Sequence, residues 1–311
     1  MPKLAINGEI VRSCSVRFGD VKAGDKILFG KTELKYTREA NAVFIEFPAP
    51  IRPGREESID FYYSGTPKTI GRFGGFTFSK DPAGRPWIFT ACEGEGSSIW
   101  WPSKDQWKDE PESMDISVSA PSALTDVSNG RFVSKKDVGG GYTQWNYHVA
   151  YPINSYDVSL NIGTYEHFSD KTGTTTLDFY ALPEDLDKAK AQFAQAKPMI
   201  EAFKHYFGEY PFDRDGYKLI QAPYTGMEHQ SAVTYGNHFA NGYLDRDWTG
   251  VGISLKFDFI VIHESAHEWF GNAVSAADQA DMWIHEGWGT YLECLYVEHT
   301  FGYADYLKYT N

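Results

Sequence analysis

The hydrophobic pattern changes character near residue 182, and this change constrains the fold more than any other feature of the sequence. Before it, stretches such as NAVFIEFPAP, PWIFTAC and SMDISVSAP alternate apolar with polar residues or are rich in β-branched and aromatic ones. Glycine, proline, asparagine and aspartate separate these stretches, which is typical of strands joined by turns. The regular spacing predicts a β-sandwich or a large bent sheet over residues 1–181.

After this point the apolar positions recur at helical spacing. Residues 182–207 are predicted to form a helix that Pro198 kinks or splits and that stops at Gly208. GYKLIQAP predicts a strand, SLKFDFIVIHESAHEWFGN a long helix and MWIHEGWGTYLECLYVEHTFG a final helix. We therefore predict an α+β protein, with an all-β domain over residues 1–181 and a mainly helical domain over residues 182–311.

Charge and composition exclude several function classes. The 311 residues carry a formal net charge of −13, which argues against a nucleic-acid partner and suits substrates with a positive group. No run of 18 apolar residues exists, so no membrane span is expected. The three cysteines and the lack of an apolar N-terminal stretch slightly favour the cytoplasm. Export and the oligomeric state stay open.

The stretch HESAHEWFGN predicts a metal site. On a helix, His263 and His267 lie one turn apart and Glu264 lies on the same face. Two neutral imidazoles at this spacing bind one Zn²⁺, and Glu264 is then placed beside the metal-bound water as a general base. The alternative is that both histidines are ordinary residues of a buried helix. The strongly apolar surroundings favour the metal, because buried polar groups need partners.

A catalytic zinc needs a third protein ligand and one open position. Glu286 follows His267 after eighteen intervening residues, and a second helix antiparallel to the first would bring it to the metal. The adjacent His285 is a competitor whose side chain points elsewhere. Ligand histidines also need a partner that orients them, and Glu293, two turns after Glu286, is preferred to Asp281 for this role.

These residues resemble the M1 family of zinc aminopeptidases. HESAHEWFGN with Glu286 is similar to that family's zinc motif, and TGMEHQSAVTYGN is similar to its Gly-x-Met-Glu-Asn motif. FTACEGEGSSIWWPSKD resembles the segment of the N-terminal β-domain that reaches the active site. The resemblance covers most of the chain and implies an N-terminal β-domain followed by a thermolysin-like catalytic domain.

The resemblance also implies roles for individual residues. His263, His267 and Glu286 match the zinc ligands, and Glu264 matches the general base. Glu228 matches the glutamate that binds the free α-amino group of the substrate, and Glu93 matches a second group at that amine. Glu95, two residues on, is the alternative to Glu93. The backbone of Gly226 and Met227 is expected to line the peptide.

Two departures from the family pattern stand out. His229 replaces the usual asparagine after Glu228, and a histidine there is able to titrate. The family's transition-state tyrosine lies well beyond the glutamate ligand, on a stretch that this chain does not reach. We therefore expect a fragment, truncated at the C-terminus and shorter than usual at the N-terminus.

The predicted function is hydrolysis of the N-terminal peptide bond of peptides with a free N-terminus, with one Zn²⁺ ion as cofactor. One alternative is a thermolysin-like endopeptidase, against which the Met227-Glu228 motif argues. The other is a zinc-binding fragment or scaffold with little activity. The residue preferred at the substrate N-terminus stays open.

Overall fold

A computed structural model describes residues 26–310, apart from 40–41, 53–56, 68, 71–73, 95 and 105, and also the backbone of Lys3–Leu4 and Val11–Arg17. The strands up to residue 181 are β1 (Lys3–Leu4), β2 (Val11–Arg17), β3 (Lys26–Phe29), β4 (Thr32–Glu33), β5 (Lys35–Glu39), β6 (Ala42–Ile51), β7 (Glu57–Tyr62), β8 (Thr69–Ile70), β9 (Gly74–Lys80), β10 (Pro86–Ala91), β11 (Met114–Pro121), β12 (Thr125–Ser128), β13 (Arg131–Gly139), β14 (Tyr142–Val149), β15 (Leu160–Gly163), β16 (Glu166–Thr172) and β17 (Thr175–Ala181).

Helices and a few short strands make up the rest of the chain. They are α1 (Leu186–Phe193), α2 (Ala196–Phe207), β18 (Tyr217–Gln221), β19 (Gly226–Met227), β20 (Val233–Tyr235), α3 (Phe259–Ala266), α4 (Trp283–Phe301) and α5 (Tyr303–Tyr309). This order of strands followed by helices confirms the predicted α+β class. None of the helices in the described part of the chain combines the length and the apolar character that a bilayer crossing requires.

The described strands form five sheets. Four lie in the first part of the chain, with strand orders β1-β7-β3-β4, β2-β6-β5, β12-β15-β10-β9-β8 and β11-β14-β13, and every pairing in them is antiparallel. The fifth sheet is mixed, with the order β16-β17-β18-β20-β19. It crosses the predicted domain boundary, because β17 pairs in parallel with β18. The division at residues 181 and 182 stays a prediction.

The predicted helix over residues 182–207 is split in two. α1 ends at Phe193 and α2 begins at Ala196, so Pro198 lies in the first turn of α2, where no helical N–H is needed. A continuous helix would press the proline ring against the carbonyl four residues earlier, at Ala194. α2 ends before Gly208, whose positive φ of 89° reverses the chain.

The predicted long helix over residues 254–272 is wrong in its length. A short turn occupies Ser254–Lys256, the chain is extended at Phe257, and α3 covers only Phe259–Ala266. Asp258 starts α3, because its side chain accepts hydrogen bonds from the backbone N–H groups of Ile260 and Val261. The apolar periodicity of this stretch reflects burial on either side of the cap and not one continuous helix.

The largest hydrophobic core lies beneath the mixed sheet and joins it to α1 through α5. Its members on the zinc-motif helix include Ile260, Val261 and Ile262, which are 0–2% exposed. α3 and α4 pack against each other within this core. Helices embedded in this way hold their side chains in fixed positions, which a site built from two helices requires.

Candidate active site

Three side chains bring donor atoms together at the end of α3. His263 Nε2 lies 3.3 Å from His267 Nε2 and 3.4 Å from Glu286 Oε2, and His267 Nε2 lies 3.9 Å from Glu286 Oε1. Two ligand atoms of a tetrahedral zinc ion, each about 2.05 Å from it, lie about 3.3 Å apart. The donor set and its spacing therefore fit a single divalent metal ion.

The two helices place these donors by simple geometry. His267 follows the last residue of α3 but keeps helical φ and ψ angles of −65° and −18°, so it still lies one turn beyond His263. Glu286 lies in the first turn of α4. One turn later, Gly289 allows a close approach, since a Cβ atom there would come within 2.8 Å of His267 Cε1. The carboxylate consequently reaches both histidines.

The electrostatics of the cluster favour a cation. Burial acts to raise the pKa of Glu286, but the hydrogen bond with His263 and the charges of the nearby histidines lower it to about 2. Burial acts to lower the pKa of His263, but its hydrogen bonds with Glu286 and Glu293 raise it well above the usual value. Both shifts have the same physical cause, because the carboxylates of the cluster favour a positive charge beside them.

Both imidazoles are oriented through their Nδ1 atoms. His263 Nδ1–H donates to Glu293 Oε1 at 2.7 Å. His267 Nδ1–H donates to the backbone carbonyl of Phe270 at 3.1 Å. With the proton on Nδ1, each Nε2 keeps its lone pair for a metal.

Glu293 lies where the sequence analysis expected a carboxylate behind the ligands. It is 2% exposed, and its second oxygen accepts a hydrogen bond of 3.0 Å from the hydroxyl of Tyr309 on α5. Asp281, the other candidate, is exposed on the short turn Gln279–Asp281 before α4. The geometry thus connects His263 to Glu293 and Glu293 to Tyr309.

Glu264 is buried beside the metal donors and contacts the edge of the mixed sheet. Its side chain packs on Gly226 of β19 so closely that a Cβ atom there would lie 2.6 Å from Glu264 Oε1. Burial raises the pKa of Glu264 to about 8, against the opposing charge of His263. A raised pKa makes this carboxylate a stronger base.

Glu228 and Glu93 both lie near one buried tyrosine, Tyr156. Glu228 is 3% exposed and its Oε1 accepts a hydrogen bond of 2.8 Å from Tyr156. Burial raises the pKa of Tyr156 well above its usual value, and nearby carboxylates that add to the rise include Glu228 and Glu93. Glu95, the alternative to Glu93, lies outside the described residues.

Two histidines near the site do not join the metal donors. His285 Nε2 accepts a hydrogen bond of 2.9 Å from the backbone N–H of Ala276, and its ring stacks on Trp107 with centroids 5.0 Å apart. His229 is fully buried, and burial lowers its pKa to about 3. A histidine with this lowered pKa is neutral near pH 7 and does not change its charge there.

Several residues that contact the predicted site were missed by sequence reasoning. Tyr156 is 72 positions from Glu228, and no pattern in the sequence links the two. Glu268 and Asn272 lie inside HESAHEWFGN, one and five residues after the second histidine, but the motif alone gave no sign of their contacts. Tyr309 is spaced sixteen residues from Glu293 and belongs to another helix.

Comparison with known proteins gives a consistent result. Residues 191–310 match the family model described as the peptidase family M1 domain. Mouse endoplasmic reticulum aminopeptidase 1 is 26% identical over 198 residues, which are 62% of this chain and 21% of that protein. Leucyl aminopeptidase of Saccharolobus solfataricus is 26% identical over 180 residues, or 57% of this chain and 22% of that protein. The chain thus spans about a fifth of the length of these relatives.

Solved structures match over a greater share of the chain. The M1 zinc metallopeptidase from Deinococcus radiodurans matches with a TM-score of 0.74 and 21% identity, over 95% of this chain and 64% of that one. A mutant of that protein bound to a Tyr-Ser-Ala substrate matches with a TM-score of 0.75 and 20% identity, over 95% of this chain and 65% of that one. At this level of identity the likeness establishes the fold.

Proposed function

Because the chain carries a peptidase family M1 domain, we propose that it is a zinc-dependent aminopeptidase, which hydrolyses the N-terminal peptide bond of peptides. One observation carries the proposal. The metal donors of His263, His267 and Glu286 lie beside a buried carboxylate at Glu264, and a second buried carboxylate, Glu228, lies close to the same base. Metal, base and ammonium anchor are the three groups that this reaction requires.

His263, His267 and Glu286 would hold the single Zn²⁺ ion, with Glu293 orienting His263. Two imidazoles and one carboxylate are the donor set of catalytic zinc sites that keep one position open. A bound zinc ion supplies Lewis acidity, which polarises a carbonyl and lowers the pKa of water. The remaining chemistry belongs to side chains of the protein.

Glu264 is the general base in this proposal. Its carboxylate takes a proton from the attacking water and passes it to the nitrogen of the leaving peptide. Glu264 is buried and packs on Gly226, and burial raises its pKa above the usual value. The proton therefore travels from water to the leaving amine on one side chain.

Glu228, together with Glu93, would bind the free α-ammonium group of the substrate. Tyr156 holds one oxygen of Glu228 by a hydrogen bond, which fixes the carboxylate in place. A buried carboxylate favours an ammonium ion over the uncharged nitrogen of an internal peptide bond. This preference restricts cleavage to the end of a peptide and argues against the endopeptidase alternative.

The backbone of Gly226 and Met227 is expected to pair with the substrate. β19 is the outermost strand of the mixed sheet as described, bonded to β20 on one side. An extended peptide adds to such an edge through main-chain hydrogen bonds. The scissile bond would then lie over Glu264, which contacts the same strand.

The test compares an aminoacyl anilide with its N-acetylated form, using protein whose zinc content has been measured. We expect one zinc ion per chain, and turnover of the free amine at least a hundredfold above that of the acetylated substrate. Equal rates on the two substrates would indicate an endopeptidase. Zinc binding without turnover of either would leave the scaffold alternative.

A further inference from the structure

The residues just after the zinc helix hold the segment that carries Glu228. We call Glu228–Ser231 the anchor segment. Asn272 Nδ2 donates a hydrogen bond of 2.8 Å to the backbone carbonyl of Glu228, at the start of this segment. Glu268 Oε1 accepts one of 2.8 Å from the backbone N–H of Ser231, at its end. Both side chains are buried, with exposures of 5% and 0%.

Glu268 and Asn272 are tied directly to a proposed metal ligand. Glu268 is the residue after His267, and the backbone N–H of Asn272 donates to the carbonyl of His267 at 2.9 Å. The hydroxyl of Tyr210 donates to Glu268 Oε2 at 2.9 Å, which fixes that carboxylate from its far side. The metal ligand and the anchor segment are therefore joined through one tight turn.

The backbone conformation of the anchor segment is not one that its own residues prefer. Ser231 has a φ of 56°, in a region that residues with a side chain rarely adopt and that tertiary contacts must maintain. Two contacts from the first part of the chain stabilise this conformation. Asn129 Nδ2 donates a hydrogen bond to the carbonyl of Gln230, and the N–H of Gly130 donates one to Ser231 Oγ, each at 2.8 Å. The contacts from Asn272 and Glu268 link the segment to the turn that follows the metal ligand.

An enzyme that removes one residue needs a fixed spacing between these two groups. The α-nitrogen of a substrate and the carbon of its first carbonyl are separated by one Cα atom, a distance of about 2.5 Å from standard bond lengths. An ammonium anchor that shifts by 1 Å relative to the metal misplaces the scissile bond and slows the reaction about a hundredfold.

We propose that Asn272, with Glu268, is a positioning residue that sets the distance between the metal donors and Glu228. Asn272 itself touches neither metal nor substrate in this account. It acts through the backbone of Glu228, and the inference rests on the proposed function of that residue as the ammonium anchor. Its loss should consequently affect recognition of the free amine and leave metal binding intact.

The experiment is a double-mutant cycle between Asn272 and Glu228 in the zinc-loaded protein. Asn272→Asp keeps the side-chain shape but removes the donor, and Asn272→Ala removes both. We expect each to raise KM for an aminoacyl anilide about tenfold and to lower kcat/KM by about ten- to a hundredfold, at unchanged zinc stoichiometry. In a Glu228→Ala background the same changes should alter KM less than twofold, because residues that act through one another are not additive.

The matched control is Asn146→Ala, which removes an asparagine that hydrogen-bonds to Ser117 and Ser134 on an exposed part of β14. It should leave KM unchanged. Full additivity of Asn272 and Glu228, or an unchanged KM in both Asn272 variants, would overturn the inference. If both variants unfold, Asn272 serves the fold and not the spacing, and the inference is wrong. Failure of the proposed function is a separate result, visible as a wild-type protein that does not prefer the free amine.

Discussion

At the scale of single residues, the site depends on side chains that lie behind the metal donors. His263 is oriented by Glu293, and Glu293 by Tyr309, so three elements contribute to one imidazole. His267 is oriented by a backbone carbonyl, which no side-chain substitution removes. Mutation of a partner side chain can therefore change the orientation of His263 but not that of His267.

Glu264→Gln should abolish turnover without loss of zinc. The amide has the size of the carboxyl group but cannot accept a proton from water, so kcat should fall by a factor of about 100 to 10,000. Steady-state kinetics and metal analysis on the same sample check this. Glu298→Gln serves as the control and should stay active. Glu298 lies on α4, and its side chain accepts a long hydrogen bond of 3.5 Å from Tyr206. A fully active Glu264→Gln protein would refute the assignment.

Tyr309→Phe should weaken zinc binding. Without the tyrosine hydroxyl, one buried oxygen of Glu293 loses its partner, and the carboxylate no longer holds His263 as firmly. Outer-shell partners of zinc ligands typically contribute about 10- to 100-fold in affinity, and we expect about tenfold here. Competition with a chromogenic chelator measures the dissociation constant. Tyr303→Phe is the control, because Tyr303 is on the same helix but is 61% exposed, and this variant should bind zinc as tightly as the wild type does. Equal zinc affinities for the two variants would contradict the prediction.

At the scale of elements, α3 is a short helix that depends on its first cap. Asp258 is fully buried and accepts hydrogen bonds from Tyr235 and Asn237 as well as from the first turn of α3. A helix of eight residues has little stability of its own, so its position comes from this cap and from core packing. The positions of His263 and His267 therefore depend on the same cap and the same packing.

Asp258→Ala should destabilise the fold strongly. The change leaves several buried donors without a partner, and we expect the free energy of unfolding to fall by about 2–4 kcal/mol. Urea unfolding measures the loss. Asp278→Ala is the matched control, because Asp278 caps only the exposed turn before α4 through one bond to Ala280. Asp278→Ala should lower the free energy of unfolding by no more than about 0.5 kcal/mol. A similar decrease in both variants would argue against a special role for Asp258.

At the scale of the whole molecule, the first part of the chain completes the site on the mixed sheet. Tyr156 reaches Glu228, Asn129 reaches Gln230, and the buried Lys218 of β18 donates to the carbonyl of Gly130. These contacts join residues that are 72 to 101 positions apart. The proposed ammonium anchor therefore depends on both parts of the chain. The proposed metal donors lie on α3, on the residue directly after it and on α4.

Global stability should depend on pH through Asp126, a fully buried carboxyl group on β12 that is bonded to Ser128. Burial raises its pKa from 3.8 to about 8. The folded state therefore holds the proton more tightly than the unfolded state does. The contribution of Asp126 to the free energy of unfolding is therefore fully present below about pH 4. It is lost as the pH rises to about 8.

Asp126→Asn removes this dependence. Relative to the wild type, the variant should gain stability as the pH rises through that window, at up to about 1.4 kcal/mol for each pH unit. Denaturant unfolding of both proteins at pH 4, 6 and 8 would follow the difference. A difference that stays constant over the three pH values would show that Asp126 does not change its protonation in this range.

The sequence by itself predicted the α+β class, the break of the helix near Pro198 and the neighbouring positions of His263 and His267. It could do so because these features follow from short-range rules, namely strand alternation, proline geometry and the one-turn spacing of two histidines. Glu286 and Glu293 were also predictable, since α4 is one uninterrupted helix that carries both of them toward α3.

Only the tertiary structure decided where α3 begins, that His229 stays neutral, and which groups hold the proposed anchor. Each of these depends on burial or on partners far away in the sequence. Asp258 could be identified as a cap only from its bonds, since apolar residues flank it on both sides. Tyr156, Asn129 and Tyr309 lie on elements whose positions relative to the metal donors are set by long-range packing, and local sequence patterns carry no record of such contacts.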